Sequence, residues 1–182
     1  MLKFEENPLM RPASVQTVAE FAGPWWVGHT KARFEKAFAQ DLTAHGIGYF
    51  LPMVERVKVS GNRKRRLMLP LFTSYVFFCG DATARYTALS TNRLCQAIAV
   101  NDRERFVDEL VALEQALAVN TQLDLYPFAA IGRRCRIRLG PLQGIVGTVI
   151  SRDNETRFVL QVSMLGQGAS LEIDADLLEP AE

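Results

Sequence analysis

The chain has no apolar run close to the ~20 residues that cross a bilayer. Residues 1–24 also lack the apolar core of a secretory signal. Histidine is scarce: His29 and His45 stand in no Ser-His-Asp or Cys-His spacing. A P-loop and the dinucleotide glycine fingerprint are both missing. Asp174 and Asp176 lie near each other late in the chain, without the further carboxylates that a cation site needs. No catalytic residue, metal or cofactor is therefore expected, and the chain reads as a non-enzyme. Cys79, Cys95 and Cys135 are odd in number, widely separated and without metal-ligand spacing. A disulfide framework is not expected from them. Reduced thiols fit a cytoplasmic protein.

Net charge is nearly absent too, at +1 over 182 residues, so any basic function is local. Lys and Arg number 13 against 9 Asp and Glu over 25–118, and 6 against 8 over 119–182, which gives +4 and −2. The asymmetry suits a nucleic-acid-facing half joined to a protein-facing half. Hydrophobic residues at 48% and charged residues at 23% suffice for a globular core. The length suits one or two domains.

What is present begins with Pro8, Pro12 and Pro24, which mark residues 1–24 as a flexible extension. Trp25 to Thr30 reads as a strand. Phe34, Phe38 and Leu42 recur at helical spacing over 31–45, and Gly46 suits the helix end. Residues 47–59 are β-rich and broken at Pro52, with Val54 to Val59 alternating apolar and charged. Ser60-Gly61-Asn62 is a turn, and the basic run Arg63-Lys64-Arg65-Arg66 follows on the loop. Pro70 to Cys79 is apolar, aromatic and β-branched, and reads as one strand. If it is regular, Phe72 and Phe78 share one face, and Tyr75 and Phe77 the other. Asp81 is placed to cap a helix over 82–90. A strand over 95–100 and a helix over 103–118 follow, the latter with Phe106, Leu110, Leu113 and Leu117 as its apolar stripe.

This order is the split βαβ, ferredoxin-like plan, expected over residues 25–118. Two helices cover one sheet face, and the other face is covered by something else or used. Residues 119–131 read as a linker. Over 132–182, short strands separated by glycine turns suggest a small β-barrel. The fold class expected is α+β.

Gly140-Pro141-Leu142-Gln143-Gly144-Ile145-Val146-Gly147-Thr148-Val149 resembles a KOW motif, whose glycines permit positive φ in the turn and a close strand crossing. Trp25-Trp26-Val27, Phe50-Leu51-Pro52-Met53 and Pro70-Leu71-Phe72-Thr73-Ser74-Tyr75-Val76-Phe77 resemble, in that order, the N-terminal domain of NusG-family transcription elongation factors. The family's common form has Pro-Gly or Pro-Asn where this chain has Thr73-Ser74. The middle and last segments and the short basic hairpin look closer to specialised paralogues such as RfaH and the UpxY-like antiterminators.

The resemblance implies a factor that binds RNA polymerase across the DNA cleft and modulates pausing, termination or antitermination. The implied fold is an N-terminal domain followed by an SH3-like KOW barrel. His29, Phe72, Tyr75 and Phe77 match positions that dock on the clamp of the largest catalytic subunit. Lys31, Arg33 and Lys36, with Arg63, Lys64, Arg65 and Arg66, match cations that approach upstream or non-template DNA without reading sequence. Arg85, Tyr86 and Thr87 sit where a specialised paralogue contacts the polymerase lobe, although that motif is not preserved. Ile145, Met164 and Leu165 fall on the barrel surface that binds a second partner, the ribosomal protein NusE or Rho. Leu165 and Gln167, in place of Phe and Arg, weaken the Rho reading. The resemblance implies no membrane association, and a monomer is expected. The competing reading is a ribosome- or RNA-binding KOW protein that does not touch polymerase.

RfaH-type barrels refold into a helical hairpin. Val, Ile and Thr here favour strands throughout, so no fold switch is predicted. Circular dichroism of residues 128–182 alone and of the full chain tests this. Helix in the full chain beyond the share of the first domain would overturn it.

Overall fold

The computed structural model describes residues 6–61, 63–119, 122–126, 132–152 and 155–181. By contacts the chain divides into Met1–Arg103 and Glu104–Glu182.

The first unit holds β1 (Trp25–Thr30), α1 (Glu35–Ala44), β2 (Gly48–Phe50), β3 (Met53–Ser60), β4 (Arg63–Pro70), β5 (Tyr75–Cys79), α2 (Ala82–Ser90) and β6 (Leu94–Ala99). Four of these strands form an antiparallel sheet in the order β2-β5-β1-β6. This is the ferredoxin-like order once β3 and β4 are set aside, and those two pair only with each other. Gly46 ends α1 at φ +66, with the Ile47 N–H returning to the Leu42 carbonyl at 2.9 Å. The Asp81 carboxylate accepts the Ala84 N–H at 2.9 Å and so caps α2.

The main core lies on the helix side of the sheet. Phe38 of α1 meets Phe78 of β5 edge to face at 5.9 Å, among Leu42, Val76, Ala88 and Ala97. Gly28 is required there. A Cβ at that position would come within 3.0 Å of the Val76 carbonyl oxygen and 3.2 Å of the Phe38 ring.

Three sequence expectations change within this unit. The stretch from Pro70 to Cys79 is not one strand. β4 ends at Pro70, Leu71 to Ser74 turn, and β5 starts at Tyr75. Ser74 has φ +65, which breaks the extended path. The basic run lies on strand β4, paired with β3, not on a loop. Residues 6–24 are not a free extension, because they strap the unit. Leu51 N–H bonds to the Met10 carbonyl at 2.7 Å, the Tyr49 hydroxyl to the Leu9 carbonyl at 3.0 Å, and the Arg103 guanidinium to the carbonyls of Phe21 and Gly23 at 2.8 and 3.1 Å. Thr17 and Glu20 form a capping box around a short 3-10 turn that buries Val18.

The second unit holds α3 (Arg103–Ala118, counted from its first turn), β7 (Asp124–Tyr126), β8 (Arg133–Ile137), β9 (Val146–Arg152), β10 (Glu155–Val162), β11 (Gln167–Glu172) and β12 (Leu178–Pro180). Its strands form a six-stranded antiparallel sheet in the order β12-β8-β9-β10-β11-β7. Sequence reasoning places α3 in the first domain and a linker over 119–131. Instead α3 groups with the second unit, where Glu109 bonds to Ser163. β7 pairs with β11 within the expected linker.

The glycines of the Gly140–Gly147 segment do two jobs. Gly140 and Gly144 have φ +95 and +89 and make the turn. At Gly147 a Cβ would meet the Phe158 ring at 2.6 Å and the Val159 carbonyl oxygen at 2.8 Å. Gly147→Ala overpacks this crossing, with an expected loss of about 1–3 kcal/mol, read as a lower denaturant midpoint. An unchanged midpoint would mean that the Phe158 ring yields freely.

Candidate functional site

β1 and β5 run side by side, and their register brings His29 opposite Tyr75 and Val27 opposite Phe77. Alternation sends Trp26, Gly28, Val76 and Phe78 to the helix side, and His29, Val27, Tyr75 and Phe77 to the other. On that second face only the end near Ser74 reaches solvent. His29 and Tyr75 are half-buried there, and their rings stack at 5.2 Å with planes 25° apart.

The other two aromatics of the expected docking group are core residues. Phe72 is 1% exposed and Phe77 0%. They meet each other at 6.1 Å, ring edge toward face. Phe72 lies in the turn before β5, so the alternation of a continuous strand does not apply to it, and its side chain turns inward. The structure thus brings His29 and Tyr75 together at the surface and leaves Phe72 and Phe77 without surface to offer.

The end of the sheet is built around Glu35, a buried carboxylate that the sequence did not single out. Its Oε1 accepts the Ser74 N–H at 2.6 Å. The Ser74 carbonyl accepts the Thr30 N–H at 2.9 Å, and the Lys31 N–H bonds to the Arg93 carbonyl at 2.8 Å. Three connections converge there: 31–34, 71–74 and 91–93. Ser74 occupies a left-handed conformation that a non-glycine residue adopts at a cost of about 1–2 kcal/mol. The resemblance places Gly or Asn at this position in its common form, which suits the same φ.

Cations sit around this end in different states. Lys31 and Arg33 are exposed in the turn ahead of α1, not within it, and the Lys31 ammonium bonds to Asn92 Oδ1 at 3.0 Å. Lys36 is half-buried and committed internally. Its ammonium donates to Asn7 Oδ1 and to the Met68 carbonyl, each at 2.5 Å. Burial lowers its pKa, opposed by the neighbouring Glu35 carboxylate. Arg63 to Arg66 are all exposed on β4, with Arg66 3.4 Å from Glu55. On α2, Arg85 lies over the Trp26 ring at 5.1 Å, and Tyr86 is 74% exposed.

In the second unit Met164 and Leu165 sit on a 3-10 turn closed by Gly166 at φ +60, with Met164 exposed and Leu165 half-buried. Ile145 is buried and does not join them at the surface. Glu109 of α3 holds this turn. Its carboxylate accepts the Ser163 N–H at 2.9 Å and the Ser163 hydroxyl at 2.5 Å, and Arg105 donates to the same hydroxyl at 2.7 Å.

A cleft of ≈ 680 Å³ runs between the 8–22 strap and the α1–β2 edge. Tyr49 and Cys79 line it, and burial raises both, Cys79 to about 11. That thiol stays protonated at neutral pH. Among the described residues no three His, Cys, Asp or Glu side chains group to hold a metal ion, and no helix is long and apolar enough to cross a membrane.

Glu35→Ala strands the Ser74 N–H, with an expected loss of about 1–3 kcal/mol. Ser74→Gly relieves the left-handed strain and is expected to raise stability. Chemical denaturation reads both, and a Glu35→Ala midpoint equal to wild type would show that the carboxylate carries nothing.

Residues 23–109 match the NusG family model, described as transcription termination factor nusG. No curated protein matches the chain by sequence. Among solved structures, NusG of Thermotoga maritima is 18% identical over 87% of this chain and 97% of its own, with a TM-score of 0.43. A chain of the MjSpt4:Spt5 complex is 13% identical over 87% of this chain and 98% of its own, with a TM-score of 0.25. The family match spans β1 to β6, with every element that positions Glu35, His29 and Tyr75. Residues 23–109 are therefore a NusG-like domain, matching the family model described as transcription termination factor nusG.

Proposed function

We propose that the protein is an elongation factor that binds RNA polymerase through its first unit and bridges the DNA cleft, modulating pausing, termination or antitermination. The observation that carries this reading is the stacked pair His29–Tyr75, the half-buried remainder of the expected docking group, on a domain that matches the NusG family model. Stacked rings at a partly exposed sheet end suit a protein contact, since aromatics combine apolar area with a polar edge. The docking surface is therefore smaller than the sequence implies and centres on these two residues, with Phe72 and Phe77 as its support. The partner surface is the clamp of the largest catalytic subunit.

Lys31, Arg33 and the Arg63–Arg66 strand are the DNA-facing cations. Lys36 serves the fold instead. The second unit acts as a KOW barrel that recruits the ribosome or Rho through Met164 and Leu165, with Ile145 supporting them from beneath. The factor works in the cytoplasm, as a monomer and without catalysis.

Capture of core RNA polymerase by the full-length protein tests the reading. Wild type is expected to retain polymerase. Tyr75→Ala is expected to lose most of it, since an anchor aromatic costs upward of about 2 kcal/mol, or some thirtyfold. Phe77→Leu keeps the support apolar and is expected to bind. If wild type captures ribosomes but no polymerase, the protein is a ribosome- or RNA-binding KOW protein.

A further inference from the structure

The β3–β4 ribbon is a sheet of its own, and from Val57 to Arg66 its described side chains are exposed. Cross-strand partners share a face. One face carries Val57 and Val59 opposite Arg66 and Lys64, and the other carries Arg56 and Lys58 opposite Leu67 and Arg65, with Arg63 at the tip. Lys58 stands directly across from Arg65, a like-charge pairing that destabilises the ribbon. Over residues 53–70 there are six cations, Arg56, Lys58, Arg63, Lys64, Arg65 and Arg66, against Glu55 alone, a net +5. Glu55 lies toward the base, on the Arg66 face. The outer half of the ribbon therefore carries cations on both faces, with Arg66 shared with Glu55.

A surface that tracks one strand of backbone needs cations on one face. It also needs aromatic rings on which bases stack, and residues 53–70 have none. Cations on both faces fit a different geometry, in which the ribbon stands between two phosphate walls. We propose that the outer half of the β3–β4 ribbon enters the major groove of duplex DNA, with Lys58, Arg63 and Arg65 facing one phosphate wall and Lys64 and Arg66 the other. The major groove, about 12 Å wide, admits a two-stranded ribbon. The phosphates relieve the Lys58–Arg65 repulsion. The inference rests on reading the ribbon as a DNA-facing element, and it adds the form of the nucleic acid and the residue Lys58.

Fluorescence anisotropy of the full-length protein with a short mixed-sequence duplex, and with one of its strands, tests it between about 50 and 200 mM salt. The duplex is expected to bind more tightly than the strand. Lys58→Gln with Arg65→Gln, and separately Lys64→Gln with Arg66→Gln, are each expected to weaken duplex binding and to reduce the slope of log affinity on log salt by about 2. Both pairs are exposed, so the fold tolerates the change, and equal melting temperatures confirm this. A loss confined to one pair means a one-sided contact and overturns the proposal. So does a strand bound as tightly as the duplex, or a duplex not bound at all. Polymerase capture by the same proteins separates the two readings: if it persists while duplex binding fails, only the groove contact falls.

Discussion

One hydrogen bond, from the Ser74 N–H to the Glu35 carboxylate at 2.6 Å, sets the geometry of the exposed end of the first unit. A buried carboxylate is tolerated only where donors satisfy it, and Ser74 is held left-handed beside it. The turn before β5 is thereby fixed, and with it the register that sets Tyr75 against His29. The same turn folds Phe72 back onto Phe77. The surface pair and its buried support thus follow from one constraint on the backbone. The Lys31 and Arg33 turn is tied separately, through the Lys31 N–H to the Arg93 carbonyl.

Much of the fold was legible because it obeys local periodicity. The Phe38–Leu42 spacing, the Gly46 terminus and the Asp81 cap each carry their signal within a few residues, and the structure shows each of them. The turn glycines Gly140 and Gly144 were readable for the same reason. The split of Pro70–Cys79 into two strands was not. Its cause lies in Ser74, whose composition says strand or turn equally, and in Glu35, which is 39 positions away. The basic run was assigned to a loop because it follows the Ser60-Gly61-Asn62 turn. In the structure it pairs with β3 over its whole length, which sets Lys58 against Arg65.

The site was legible in part. His29 and Tyr75 were named from the resemblance, but their stacking required the β1–β5 register. Phe72 and Phe77 were named by the same resemblance and turned out to be internal, because aromatic content does not tell an exposed anchor from the residue supporting it. Lys36 could be read only as one cation among three. Its bonds to Asn7 and to the Met68 carbonyl join the strap, α1 and the base of the ribbon. Glu109 gave no signal at all, since one acid on a helical face is ordinary until its hydrogen bonds to Ser163 are seen.

The strap over residues 6–24 meets the rest of its unit largely through backbone carbonyls. Those of Leu9, Met10, Phe21, Ala22, Gly23 and Pro24 accept from Tyr49, Leu51, Arg103, Cys79, Arg103 and Gly80 in turn. A carbonyl is the same on every residue, so these contacts impose almost no demand on side-chain identity. They do impose a demand on path length. Substitution is therefore tolerated where a carbonyl alone makes the contact, but not at Thr17, Val18 or Glu20, whose side chains are used, and shortening the path between Leu9 and Pro24 would disrupt what such substitution leaves intact.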